Sequence, residues 1–107
     1  GVRRNYAEAL KWWRRAAEQG YASAQFSLGL MYEKGNGVPQ DFVEAQTWYL
    51  IAASRFPTSD PVNSAIASEF GKSLAARMAP APIAEAQRRA REWQPTMEAP
   101  ARPRRTR

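Results

Sequence analysis

Residues 1–17, GVRRNYAEALKWWRRAA, align with residues 37–53, GVPQDFVEAQTWYLIAA, at a shift of 36 positions, and this repeat decides the fold. Seven of the 17 aligned positions are identical, and they include the pair formed by Trp12 and Trp48. A self-similarity with a period of 20–50 residues is the sequence signature of architectures in which one supersecondary unit stacks on the next. The chain is therefore expected to consist of stacked repeats.

The start of each repeat is predicted from a pair of polar residues three positions apart. Asn5 precedes Glu8 at the spacing of a helical capping box, and Asp41 precedes Glu44 in the same way. In a capping box the first side chain accepts a hydrogen bond from a free backbone N–H, and the glutamate reaches back to the first residue. These pairs predict helices that begin just after Asn5 and Asp41, and they favour a structural role for both glutamates.

The end of the first helix and a second helix are predicted from glycines. Gly20 is expected to provide the positive-φ C-cap of the first helix. A second helix is predicted over about 22–34, followed by a tight turn at residues 35–39. Gly29 inside this helix lowers its propensity by about 1 kcal/mol relative to alanine, and such a glycine marks a close approach of another helix. Each unit is thus predicted to be a helical hairpin.

The residues at these positions carry a family resemblance over residues 1–53. The pattern that carries it is Ala9-x-x-Trp12-Trp13-x-x-Ala16-Ala17-Glu18-Gln19-Gly20-x-Ala22-x-Ala24-Gln25-x-x-Leu28-Gly29-x-Met31-Tyr32-x-x-Gly35-x-Gly37-Val38-Pro39-Gln40-Asp41. This pattern closely resembles the Sel-one-like repeat family, which is related to the tetratricopeptide repeats. The resemblance implies an all-α, right-handed α-solenoid of antiparallel helix hairpins with a concave binding face. It also implies adaptor or regulatory work, often in bacterial signalling, envelope or host-interaction systems.

The second half of the chain departs from the family pattern. Residues 54–61, SRFPTSDP, replace the expected Glu-Gln-Gly, so the second hairpin is predicted to be irregular. Asp60 is expected to cap the next helix, with Pro61 in its first position. That helix, about 62–78, is expected to bury four apolar residues at i, i+4, i+8 and i+12, namely Ile66, Phe70, Leu74 and Met78.

A last helix over about 80–93 is predicted to cap the solenoid. Its apolar face would carry Ile83, Ala86, Ala90 and Trp93, and its polar face the pairs Glu85–Arg89 and Arg88–Glu92. Terminal repeats are atypical because one side faces water. The predicted organisation is a repeat domain at 1–93, with repeat 1 at about 5–36, repeat 2 at about 41–78 and the capping helix at about 80–93. The Arg/Pro-rich segment 94–107 lacks apolar periodicity and is predicted to be disordered.

The beginning of the chain suggests a longer parent protein. Gly1-Val2 corresponds to Gly37-Val38, the turn that follows a helix pair. We therefore expect at least one further repeat upstream, so that the sequence is a piece of a longer repeat protein.

Composition excludes several classes of chemistry. The 107 residues contain no Cys and no His, which excludes a disulfide framework, a thiolate nucleophile, an imidazole base and the commonest metal ligands. Cys-rich relatives of this family have been linked to β-lactam binding or hydrolysis, but their paired cysteines are absent. No cofactor, no small-molecule substrate and no enzymatic activity are predicted.

A run of ~18 apolar residues is also missing, so no membrane span is expected. The sequence does not distinguish a cytoplasmic from a periplasmic location.

Net charge divides between the repeats and the tail. The formal net charge is +6, and residues 95–107 contribute +3 of it through four Arg and one Glu. No helix-turn-helix, RNA-recognition or zinc pattern is present, and no aromatics alternate with the tail arginines. The Arg-rich tail therefore supports, as an alternative function, a weak electrostatic association with nucleic acid or an anionic membrane.

The main functional hypothesis is a protein–protein interaction scaffold. Its concave face would hold a peptide or protein partner, and the candidate contact residues are Lys11, Trp12, Arg15 and Trp48. Adjacent helical residues lie about 100° apart, so Trp12 and Trp13 do not both lie at the centre of one buried stripe. Aromatic residues are enriched at interface hot spots, although most aromatics at helical spacing are expected to form the core.

Overall fold

The computed structural model describes the backbone of residues 2–96 and the side chains of residues 7–96. This part of the chain contains helices and no strand, which confirms the predicted all-α class. The five helices are α1 (Val2–Glu18), α2 (Ala22–Lys34), α3 (Phe42–Arg55), α4 (Pro61–Ala75) and α5 (Pro80–Glu92). The tail predicted to be disordered lies outside the described residues from residue 97 onward, as does Gly1.

Helix α3 is the centre of the fold. Helix α1 packs on α2, α2 packs on α3, and both α4 and α5 pack on α3. Consecutive helices thus form the hairpins α1–α2 and α3–α4, and the second hairpin stacks on the first. This arrangement confirms a small α-solenoid of about two repeats.

One apolar cluster joins α1, α2 and α3. Its buried members are Ala17, Ala24, Leu28, Trp48 and Ile51. Trp13 and Trp93 pack against its edge, so the cluster also ties the end of α5 to the first repeat. Burial of a large aliphatic or aromatic side chain stabilises a fold by about 1.5–3 kcal/mol. Burial of Leu28, Trp48 and Ile51 therefore stabilises the packing between the repeats.

A second cluster joins α2, α3 and α4 around Tyr49. Tyr49 is fully buried beside Ala45 and Leu74. The Phe70 ring of α4 lies edge-on to Phe26, with ring centroids 5.0 Å apart, and 5.8 Å from the ring of Tyr49. Edge-to-face aromatic pairs contribute about 0.5–1.5 kcal/mol beyond area burial. These rings hold α4 against the hairpin junction.

The hydroxyl of Tyr49 has a defined polar partner inside this cluster. It donates a hydrogen bond of 2.6 Å to Glu33 Oε1, and Arg77 donates to the other oxygen of Glu33 at 3.0 Å. Burial raises the pKa of the Tyr49 hydroxyl above its ordinary value, and the adjacent Glu33 carboxylate raises this pKa further. Through Glu33, these two hydrogen bonds link α2 to α3 and to Arg77, which follows α4.

The predicted close approach at Gly29 is confirmed. A Cβ atom built at Gly29 would lie 2.5 Å from the Tyr49 ring and 3.3 Å from the Ala45 carbonyl oxygen. The absence of a side chain at this position lets α3 lie directly against α2. The aromatic ring of one repeat thus occupies the space that the glycine of the preceding helix leaves free.

The predicted C-cap at Gly20 is also confirmed. Gly20 has a φ of +106°, the Gly20 N–H donates to Ala17 O at 3.0 Å, and the Tyr21 N–H donates to Ala16 O at 3.1 Å. These two bonds are those of a Schellman motif, which satisfies carbonyls that the helix end leaves free.

The two predicted N-caps have different outcomes. Asp41 caps α3, because its Oδ1 accepts a hydrogen bond of 3.0 Å from the Glu44 N–H. The prediction for Asn5 is wrong, because α1 already begins at Val2 and Asn5 lies inside it. Pro39, two residues before Asp41, restricts the preceding backbone to extended conformations, whereas its counterpart Arg3 imposes no such restriction.

Glu44 does not complete the capping box. Its carboxylate accepts from Arg89 of α5 at 3.0 Å, while the Asp41 N–H donates to the Tyr32 carbonyl. On α5, the predicted pairs are confirmed: Arg89 contacts Glu85 at 2.8 Å, and Arg88 contacts Glu92 at 2.9 Å. Hydrogen bonds from both arginines hold the pKa of Glu85 below its usual value. Through its ion pair with Arg89, Glu44 thus links α3 to α5.

Helix α4 is shorter and less buried than predicted. It ends at Ala75, and among the four residues expected in the core only Leu74 is fully buried. Ile66 is 41% exposed and Phe70 is 39% exposed, while Met78 is partly buried beyond the helix end. The reason is that α4 packs mainly on α3, so its outer side has no helix to cover it in the described part of the chain. The predicted cap is confirmed, because Asp60 Oδ1 accepts from the Asn63 N–H at 3.3 Å.

Replacing Asp41 with alanine is expected to lower the free energy of unfolding by about 1 kcal/mol, because the first turn of α3 loses its side-chain acceptor. Asp41→Asn keeps an acceptor at the same position and serves as the matched control. Urea denaturation followed by circular dichroism measures both. Equal stability of Asp41→Ala and the wild type would contradict the capping role.

Candidate functional site

Three of the four predicted contact residues lie together on α1. Lys11, Trp12 and Arg15, which we call the α1 surface, line a recess of about 230 Å³ together with Glu8. All three are exposed, and Trp12 is 66% exposed. Helical spacing explains the arrangement, since residues four apart lie one above the other and Trp12 lies beside them. The α1 surface therefore combines two cations with one large apolar ring.

A second recess lies on the C-terminal side of the α1 surface. Its volume is about 350 Å³, and it is lined by Lys11, Arg14, Arg15, Glu18, Gln19 and Thr96. The Thr96 N–H donates to the Glu18 carbonyl oxygen at 2.6 Å, so the segment after α5 crosses the end of α1. Lys11 and Arg15 line both recesses, which makes them continuous along α1.

The cations along α1 differ in how they are engaged. Arg14 donates to the Tyr32 hydroxyl and lies over the Tyr32 ring, 5.8 Å from its centroid. Lys11 and Arg15 take part in none of the ion pairs that the described residues form. Arg14 therefore has a structural contact in place, whereas the charges of Lys11 and Arg15 face solvent and can meet an anionic partner.

Trp48, the fourth candidate contact residue, lies in the core and not on the surface. It is 5% exposed and lies edge-on to Trp93, with ring centroids 6.1 Å apart. The guanidinium of Arg55 covers Trp93 at 5.4 Å and donates to the Gly20 carbonyl oxygen at 3.0 Å. The end of α5 thus shields Trp48, while no described element covers the equivalent Trp12. Trp12 and Trp48 therefore differ in burial, although they occupy equivalent positions in the repeat.

A third cavity was not predicted from the sequence. It has a volume of about 270 Å³ and lies between α3, α4 and α5. Gln46 lines it, and this side chain is 4% exposed. The available signal was the glutamine beside Thr47 in the otherwise apolar run AQTWYLIAA at 45–53, but a glutamine in a helix is more often on the solvated side.

Neither a cluster of metal-ligating side chains nor a membrane-spanning helix is found among the described residues. No group of three or more Asp and Glu side chains is placed to hold a metal ion within this range. None of the described helices combines the length and the apolar character that crossing a bilayer requires.

Comparison with known proteins identifies a repeat family. The family model described as the Sel1 repeat matches residues 1–21 and 22–55. The chain is 50% identical over 42 residues to the chitin synthase regulator SKT5 of Malassezia restricta, and 46% identical over 55 residues to chitin synthase regulatory factor 3 of Schizosaccharomyces pombe. It is 39% identical over 41 residues to the DAP3-binding cell death enhancer 1 of Rattus norvegicus.

These similarities cover part of the chain and a small part of each relative. The aligned segments span 39%, 50% and 38% of this chain, but only 3%, 6% and 8% of the respective relatives. The relatives are eukaryotic, so the expected bacterial origin and signalling role remain predictions. No solved structure matches the chain.

Proposed function

The chain belongs to the Sel1 repeat family, and we propose that it is a non-enzymatic interaction module that binds an acidic segment of a protein partner through the α1 surface. Sel1 repeats generally mediate protein–protein interaction, and the family is typically non-catalytic. We place the binding site on the concave face of the solenoid, where a rigid scaffold loses little conformational entropy on binding.

The observation that carries this proposal is the combination of Trp12 with two cations that lack ion pairs among the described residues. Trp12 offers an exposed ring of the type that dominates binding hot spots. Lys11 and Arg15 offer positive charge beside the ring, which steers and orients an anionic segment. A partner segment that pairs an apolar side chain with Asp or Glu complements both features.

The names of the relatives support a protein partner. Two relatives are named as regulators of chitin synthase, and a third is named as a DAP3-binding protein. Each name describes action on, or binding to, another protein. By this similarity we expect the present chain to act through a protein partner and not on a small-molecule substrate.

A library of random peptides, selected on the full chain and then measured singly by fluorescence anisotropy, is expected to yield binders rich in Asp and Glu. Lys11→Glu and Arg15→Glu reverse charges at the site, so each is expected to weaken these binders at least tenfold, about 1.4 kcal/mol. Trp12→Ala is expected to have a similar effect through loss of the apolar contact.

The matched control for charge is Arg91→Glu on α5, an exposed arginine outside both α1 recesses. It is expected to leave affinity nearly unchanged. Deletion of residues 97–107 is also expected to leave binding intact. Binding that is lost on this deletion and insensitive to the α1 substitutions would contradict the proposal and favour the Arg-rich tail.

A further inference from the structure

The cavity between α3, α4 and α5 is a separate feature from the α1 surface. Helices α4 and α5 both pack on α3 and make little contact with each other, so they leave a groove whose floor is α3. The floor includes Gln46 and Leu50, and the walls include Gly71 of α4 and Ile83 of α5. Its volume of about 270 Å³ is sufficient for an apolar side chain with the adjoining peptide group.

Gln46 brings an unsatisfied acceptor to this groove. Its Oε1 atom is buried and has no hydrogen-bond partner, although the residue as a whole is 4% exposed. Leaving a buried polar group without a partner costs free energy, and buried polar atoms in folded proteins are nearly always paired. Ser68, Lys72 and Gln87 also line the groove without bonding this oxygen, so the acceptor is left for a donor from outside the chain.

Gly71 keeps the groove open above this carboxamide. A Cβ atom built at Gly71 would lie 3.7 Å from Gln46 Oε1 and 3.7 Å from Tyr49 Cβ, which is ordinary contact distance. Alanine would therefore fit here, unlike at Gly29, where the Tyr49 ring leaves no space. A glycine in a helix interior is destabilising relative to alanine, and packing gives no reason for it at this position. Its effect is to leave space beside the Gln46 amide that a methyl group would fill.

We propose that this groove binds a peptide segment of a protein partner, with an apolar side chain in the cavity and a backbone N–H donating to Gln46 Oε1. The peptide group is the matching ligand because it brings a neutral N–H donor directly beside an apolar side chain. This inference adds a second contact to the proposed function and rests on it only in taking the partner to be a peptide or protein. The two contacts involve different residues and fail independently.

Titration of the full chain with N-acetyl-leucine N-methylamide, followed by ¹H–¹⁵N NMR, tests the groove directly. Saturable shifts are expected at the Gln46 side-chain amide and at the backbone amides of Gly71 and Ile83. Gln46→Met keeps the side-chain length and removes the acceptor, so the dissociation constant is expected to rise at least tenfold. Gly71→Ala fills the space beside the carboxamide and is expected to weaken binding similarly.

Thermal unfolding of the same variants separates a ligand site from a structural role. Gln46→Met removes an unpaired acceptor, and Gly71→Ala removes a glycine from a helix interior. Each variant is therefore expected to have a higher melting temperature than the wild type and weaker binding of the probe. Gln94→Met, at an exposed position beyond α5, is expected to bind the probe like the wild type. No saturable shift in the wild type, equal binding by Gln46→Met, or a lower melting temperature for Gln46→Met would each overturn the proposal.

Discussion

Replacing Trp48 with alanine is expected to lower the free energy of unfolding by about 3–5 kcal/mol, while Trp12→Ala is expected to change it by about 0.5 kcal/mol or less. The two residues are equivalent in the repeat, but Trp48 is 5% exposed and Trp12 is 66% exposed. The same substitution thus removes core packing in one unit and a solvated ring in the other.

The expected loss at Trp48 arises from packing and not from hydrogen bonding. Its Nε1 atom has no partner, so truncation breaks no hydrogen bond. Truncation instead leaves a cavity between Leu28, Ile51 and Trp93, where surrounding side chains relax only in part. Because small domains are stable by only about 5–15 kcal/mol, this loss is a large fraction of the total.

Urea denaturation followed by far-ultraviolet circular dichroism measures both variants. If Trp48→Ala abolishes folding, Trp48→Phe provides a milder substitution that still loses stability relative to the wild type. The two positions also differ in binding, since Trp12→Ala is expected to impair peptide affinity without loss of stability. A stable Trp48→Ala variant, or a strongly destabilised Trp12→Ala variant, would contradict the assignment of core and surface.

The contrast between these two tryptophans shows what sequence periodicity can and cannot predict. The 36-residue period correctly predicts the helical hairpins, because the spacing of apolar residues and caps is local information. It does not predict which element covers each repeat. Trp48 is buried in part by Trp93, the residue that follows α5, and no described ring makes this contact with Trp12.

The same limit explains why the burial of Ile66 and Phe70 in α4 was wrongly predicted, and why the groove beside α4 was not predicted. The spacing of Ile66 and Phe70 correctly indicates an apolar stripe, but α4 packs mainly on α3, so the part of the stripe beyond this contact stays exposed. Gln46 is polar in an apolar run, yet its burial depends on where α4 and α5 lie on α3. Local pattern predicts that Lys11, Trp12 and Arg15 lie on one helix, whereas the groove is visible only in three dimensions.

The two helix-interior glycines are expected to respond to alanine with opposite signs. Gly29→Ala is expected to lower the free energy of unfolding by about 1–3 kcal/mol, the range typical of overpacking. The added methyl group would lie 2.5 Å from the Tyr49 ring, and this ring is fully buried and held by its hydrogen bond to Glu33. The clash can be relieved if α2 moves away from α3, but this movement disrupts the interface between the repeats.

Gly71→Ala is the matched control, because it makes the same chemical change in another buried helix interior. Its new methyl group would meet neighbours at 3.7 Å, so the helix is expected to gain about 0.4–1 kcal/mol without strain. Denaturation midpoints of the two variants, measured side by side in urea, provide the test. Because helix propensity favours alanine at both positions, a loss at Gly29 alone isolates the steric contact with Tyr49. A gain in stability at both positions would contradict close packing of α2 on α3.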